Sequence, residues 1–171
     1  MEEKKLTGYP SIDKPWLKYY SEEAINTPLP EGSMYDYMTA CNAGRIDEPA
    51  LNYFGRKITY RKLVHEIDCA ANAFSKAGIQ SGSIVAAFAL NTPECIASIY
   101  ALNRLGAVID LQYANLSPKE VLANLQATHT QFVLTADTFL PLIEDALELG
   151  HLGDSVQVIV APVARSLPPL K

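Results

Sequence analysis

The strongest constraint on this chain is a rhythm that begins at Ser83. Short apolar stretches alternate with helix-length stretches, and a cap, proline or glycine marks most of the changes. Ser83 to Leu90 is a continuous apolar run, as expected of a strand covered on both faces. Pro93 then marks a place where a helix begins. Cys95, Ile96, Ile99, Tyr100, Leu102 and Leu105 leave that helix almost no polar face, so deep burial is predicted. Gly106 stops it. Ala107 to Leu111 is the second strand. Ser117-Pro118-Lys119-Glu120 is a complete helix-start signal, with serine as cap, proline in the first helical position and glutamate reaching back to the cap. Val121, Leu122 and Leu125 supply that helix's buried face. Gln131 to Thr135 is the third strand. Phe139 to Leu149 is a further helix, fraying or starting late because of Pro141. Val156 to Val160 is the fourth strand, and Ser166-Leu167-Pro168-Pro169 reads as a loop. Strands alternating with helices over short connections imply right-handed crossovers and a parallel sheet.

The predicted fold class is therefore α/β: a doubly wound, mostly parallel sheet with Rossmann-like layers, carrying a small N-terminal hairpin and an extended N-terminal arm. The arm, residues 1–32, has several prolines, Trp16 and a Tyr19-Tyr20 pair but little periodicity. It is expected to lie over a larger surface, pinned by its aromatics, with a short helix near Ser21 to Ile25. Ser33 then reads as an N-cap, with Met34, Tyr37, Met38 and Cys41 on one core-facing side of a helix that Gly44 ends. Ala50 to Phe54 and Lys57 to Thr59 form a hairpin whose Gly55-Arg56 link suits a type II′ turn. Thr59 caps the next helix and Gly78 closes it. Leu63, Val64, Ile67, Ala70, Ala71, Phe74 and Ala77 line one face of this helix, and Arg61, His65, Asp68, Asn72 and Lys76 the other.

Composition excludes several classes. The chain has 171 residues, 49% of them hydrophobic, and a net charge of -5 with the two signs interspersed. No Lys/Arg cluster exists to hold a phosphate backbone, so nucleic acid is not expected as a partner. The start Met1-Glu2-Glu3-Lys4-Lys5 has no apolar stretch behind it and does not resemble a secretory signal. The longest uniformly apolar run, Ile84 to Leu90, is far short of the ~20 residues that span a bilayer, so no transmembrane segment is expected. Cys41, Cys69 and Cys95 are scattered and odd in number, which suits reduced thiols and a cytoplasmic location.

The residues alone select no catalytic, cofactor-binding or metal-binding site. A doubly wound sheet binds ligands beyond its strands' carboxyl ends. Here those ends carry Asn91-Thr92, Asp110 to Tyr113 and Ala136-Asp137. Asp110 suits a ribose or metal ligand, but equally a loop hydrogen bond, and nothing converges with it. The glycines are scattered rather than gathered into a phosphate cradle. Gly78-Ile79-Gln80-Ser81-Gly82 reads as a helix stop and strand start, and Gly150-His151-Leu152-Gly153 as a turn. His65, His129 and His151 are too dispersed to be a metal trio. A Cys-His nucleophile pair is conceivable, but no pattern selects it.

Several segments resemble the adenylate-forming superfamily, in particular its AMP-forming acyl-CoA synthetases. Ala50-Leu51 through Ile58-Thr59-Tyr60-Arg61-Lys62-Leu63 resembles its first signature, with Lys62 in place of the usual glutamate. Ile79 to Val85 resembles its Gly-Val-x-x-Gly-Asp-x-Val stretch, with Ser83 in the acidic position. Asn91-Thr92-Pro93-Glu94 and Tyr100 through Val108 resemble a helix start and the buried helix that ends at Gly-Ala. After it the family usually has proline and asparagine, where this chain has Asp110-Leu111-Gln112. The arm, with Gly8-Tyr9-Pro10 and Trp16-Leu17-Lys18-Tyr19-Tyr20, is similar to that of bacterial acyl-CoA synthetases.

The resemblance covers residues 33–171 and implies a ligase that joins a carboxylate to AMP from ATP and then to coenzyme A. It implies ATP, Mg²⁺ and coenzyme A for a parent enzyme and none of them on this stretch, since the family's Ser/Thr/Gly-rich loop and later lysines do not occur before Lys171. Residues 33–171 are then expected to be a partial, truncated N-terminal subdomain, inactive alone. Its partner would be the remainder of the enzyme, with self-association through exposed apolar surface. Other adenylate-forming enzymes, or a free-standing acyl- or nucleotide-binding module, remain alternatives.

Overall fold

The structure, a computed structural model, describes residues 6–113 and 115–168. The charged start Met1 to Lys5 and the Pro169 end of the proline loop therefore lie outside the described residues. The chain divides into two compact units, Met1–Glu31 and Gly32–Lys171.

The first unit holds two short helices, α1 (Pro10–Asp13) and α2 (Glu22–Asn26), with a 3₁₀ turn over Pro15–Tyr19 between them. α2 is the expected helix, and the Ser21 hydroxyl accepts the Ala24 N–H at 3.2 Å. The other two turns were not anticipated. Proline at their starts presets the helical φ, and the Asp13 carboxylate accepts the N–H groups of Thr7 and Gly8, each at 2.9 Å. The aromatics expected to pin this segment are exposed, Tyr19 the most at 79%.

The second unit is built on a four-stranded sheet of β3 (Ile84–Phe88), β4 (Val108–Leu111), β5 (Phe132–Ala136) and β6 (Gln157–Ala161). Its order is β4-β3-β5-β6, and every neighbouring pair is parallel. Side chains alternate across the inner strands, as the two-residue period of a strand requires. Val85, Ala87 and Leu134 enter one cluster with α4 (Tyr60–Lys76) and α5 (Pro93–Arg104). Ala86, Phe88 and Val133 enter a second with α6 (Pro118–Ala127) and α7 (Leu140–Leu149). Helices therefore cover both faces, and the doubly wound α/β fold read from the rhythm is the fold observed. α7 starts late, as Pro141 required, after a 3₁₀ turn over Asp137–Phe139. Among the described residues no helix is long and apolar enough to cross a membrane.

Local signals explain most boundaries. Thr59, Thr92 and Ser117 cap α4, α5 and α6, and Ser117 with Glu120 closes a full capping box. α4 buries Leu63, Ile67, Ala71 and Phe74, the face its periodicity named. Gly78 ends it at φ +96° and Gly106 follows α5 at φ +72°. The Gly106 carbonyl accepts the Gly82 N–H at 2.9 Å, which ties the start of β4 to the start of β3.

Three expectations need correction. In α3 (Met34–Cys41) the stripe Met34, Tyr37 and Cys41 faces out, and only Met38 of that set packs inward, beside Tyr35. Polar anchors turned the helix: the Tyr35 N–H donates to Asn103 Oδ1 at 3.0 Å and its hydroxyl to Asp68 Oδ1 at 3.1 Å. Gly44 does not supply a left-handed stop, because the Asn42 cap at φ -113° turns the chain into a 3₁₀ segment over Ala43–Arg45. The hairpin of β1 (Pro49–Tyr53) and β2 (Arg56–Thr59) turns at Phe54-Gly55, one residue earlier than predicted. Both turn residues have positive φ, +50° and +84°. That is a type I′ turn, whose twist matches the strands, and Asn52 Oδ1 supports it by accepting the Gly55 N–H at 3.1 Å.

Candidate functional site

The chain leaves β3 toward one edge of the sheet and β5 toward the other, so the strand order reverses between them. The carboxyl ends of these strands are where such a sheet takes ligands. Local structure already uses the polar groups there. The buried Thr92 accepts the Cys95 N–H at 3.2 Å and caps α5. Asp110 accepts from the Gln112 amide, and Gln112 Oε1 accepts from Asn124 Nδ2 at 2.7 Å, which ties the end of β4 to α6. Of the roles open to Asp110, the geometry shows the loop hydrogen bond. Asp137 Oδ1 accepts the N–H groups of Thr138 at 3.0 Å and Val163 at 3.2 Å, joining the end of β5 to the turn after β6.

Helix N-termini are the other natural anion sites. At α6 the Ser117 hydroxyl and backbone hydrogen bonds hold the Glu120 carboxyl below its usual range. The Ser33 hydroxyl and backbone do the same for Asp36 at α3. A fixed carboxylate at each end repels a phosphate and covers the N–H groups that would bind one. Among the described residues, no group of three or more His, Cys, Asp or Glu side chains is placed to share a cation. The polar groups at these strand ends and at the N-termini of α3 and α6 are thus engaged in local structure.

The histidines stay apart. His129 and His151 follow α6 and α7, each at φ +52°, and take the left-handed positions that glycine usually fills. The Thr130 N–H bonds the Leu125 carbonyl and the Leu152 N–H bonds the Leu147 carbonyl, so both residues are helix stops. Gly150 is in a turn, as expected, and is pressed against Leu122. His65 lies on the exposed face of α4, with Nε2 at 3.7 Å from Cys69 Sγ. No thiol is disulfide-bonded, and burial pushes the Cys95 thiol above its usual pKa, away from nucleophile chemistry.

Two polar assemblies were missed by sequence reading because their members are distant along the chain. Asp68 accepts from Tyr35 and Arg104, and the Arg104 guanidinium lies 5.0 Å over the Tyr35 ring. This triad joins α3, α4 and α5. The second lines a pocket between the hairpin, α4 and the start of α5, where Arg56, Lys62, Glu66, Glu94 and Arg165 surround Leu51, Ile58 and Leu63. Glu66 reaches Arg165 at 3.4 Å and Lys62 at 3.8 Å. A groove continues from it along α4, over Phe74, Leu134, Ile159 and Ala161. The assembly offers paired charges above apolar surface, which suits packing and binding rather than bond-making.

Comparison with known proteins bears on the family and the fold. The model of the family described as AMP-binding enzyme matches residues 39–168. Acetyl-coenzyme A synthetase of Streptomyces avermitilis is 29% identical over 131 residues, which are 68% of this chain and 20% of that protein. Long-chain-fatty-acid–CoA ligase of Bacillus subtilis is 24% identical over 156 residues, 91% of this chain and 27% of that protein. Among solved structures, the anthranilate CoA ligase AuaEII in complex with anthranoyl-AMP superposes with a TM-score of 0.70 at 25% identity, covering 81% of this chain and 26% of that one. The chain thus spans only 20% to 27% of the length of these relatives.

Proposed function

The chain belongs to the AMP-binding enzyme family, and on that premise we propose that it builds the N-terminal wall of an ATP-dependent acid–CoA ligase. The whole enzyme would join a carboxylate to AMP, releasing pyrophosphate. Coenzyme A would then displace AMP to form a thioester. In this reading residues 33–171 position the rest of the enzyme and carry no reacting group. The observation that supports it is the state of the strand ends: Thr92, Asp110 and Asp137 are tied into local hydrogen bonds, and fixed carboxylates close two helix N-termini. Transition-state charge in phosphoryl chemistry needs donors aimed at it, and these groups point elsewhere.

The test is an assay of the 171-residue chain with ATP, Mg²⁺, coenzyme A and acetate, long-chain or aryl acids. No acid-dependent AMP release is expected. Calorimetry with ATP, AMP and coenzyme A should show no binding tighter than millimolar, and a tighter site would overturn the reading. The outer strands expose Val108, Leu111 and Val160, so sedimentation should reveal concentration-dependent self-association.

A further inference from the structure

We propose that His65 and Cys69 form a two-ligand site for a soft divalent cation on the outer face of α4. The pair is set four residues apart in the middle of a 17-residue helix, with His65 and Cys69 both exposed. This spacing brings side chains onto one face about one turn apart. The distance between the two donor atoms is the informative quantity. A tetrahedral Zn²⁺-like ion holds sulfur at about 2.3 Å and nitrogen at about 2.0–2.1 Å, which places the two donors about 3.5 Å from each other. Cys69 Sγ and His65 Nε2 stand 3.7 Å apart. The donor separation in the structure thus already matches the bite of one ion.

The neighbours define the rest of the site. Asp68 is held by Tyr35 and Arg104, and Glu66 by Arg165 and Lys62, so neither carboxylate competes for the ion or for the pair. Water would complete the coordination. A thiolate and an imidazole together select Zn²⁺, Cd²⁺ or Co²⁺ over Mg²⁺ or Ca²⁺, which take oxygen donors. Cys69 also lines the groove that runs over Phe74 and Ile159, so a bound ion would sit at that groove's rim.

The experiment is a Co²⁺ and Cd²⁺ titration of the reduced 171-residue chain, read by thiolate-to-metal charge-transfer absorption. One equivalent is expected to give the band. Cys69→Ser should abolish it, and His65→Ala should weaken binding about tenfold or more, since even a supporting partner of a ligand is worth about 10–100-fold. Cys41→Ser should leave it unchanged. Both ligands are exposed, and circular dichroism of each variant would confirm an intact helix. A band that survives Cys69→Ser, or an affinity indifferent to His65→Ala, would overturn the proposal, as would equal binding of Mg²⁺.

Discussion

The inner and outer strands of the sheet have similar sequences and different fates. β3 and β5 read Ile-Val-Ala-Ala-Phe and Phe-Val-Leu-Thr-Ala, and every residue but Ile84 is buried. β4 and β6 read Val-Ile-Asp-Leu and Gln-Val-Ile-Val-Ala, and none of their residues is fully buried. Leu111 is 64% exposed, whereas Leu134 is 1% exposed. The difference shows that stability in this unit is concentrated in two strands and the helices on either side of them. The other two strands present edges, and an unpaired edge invites another strand or an overlying layer.

The comparison can be broken most directly at Phe88. It lies in the smaller cluster at 1% exposure, so Phe88→Ala should cost ~3–5 kcal/mol in denaturant unfolding. A loss no larger than that of an outer-strand substitution would abolish the distinction. Gly106→Ala probes the joint between the two strand types. It combines φ +72° with a new Cβ 2.8 Å from Ser81 Oγ, and should cost ~1–3 kcal/mol by the same measurement. His129→Gly acts just before an inner strand and should stabilise by ~0.5–1 kcal/mol, since it removes a side chain from a left-handed backbone position. Leu111→Ser should change stability by less than ~0.5 kcal/mol while reducing self-association in sedimentation.

The smallest effect is pH dependence at the start of α6, the helix that leads from outer β4 to inner β5. Glu120 has a lowered folded-state pKa. Its stabilisation is therefore complete above the ordinary glutamate range near ~4.3 and is lost as pH falls through the lower folded value. Wild type and Glu120→Gln should differ in Tm at neutral pH and converge in acid. A constant offset would show that the cap's charge contributes nothing.

Much of this was legible in the chain. Ser117-Pro118-Lys119-Glu120, Thr59 and Gly78 act through neighbours within a few residues, and the α4 stripe has enough apolar members to name its own buried side. Where the pattern was thin it misled. In α3, Met34, Tyr37 and Cys41 satisfied helical spacing as well as Tyr35 and Met38 did, and the choice was made by Asn103 and Asp68 from other helices. The use of Asp110 was not legible, because its tie runs through Gln112 to Asn124.

Sequence by itself determined the number and kind of layers, since strand and helix periods, caps and stops are local properties of the chain. Tertiary structure alone decided that β3 and β5 are central, that Glu66 meets Arg165, and that Asp68 binds both Tyr35 and Arg104. Such outcomes depend on strand order and on contacts between residues 33 to 99 positions apart. A local pattern carries no information about which distant apolar run will lie alongside it, because two strands with the same composition gain the same burial in either place until the whole sheet is assembled.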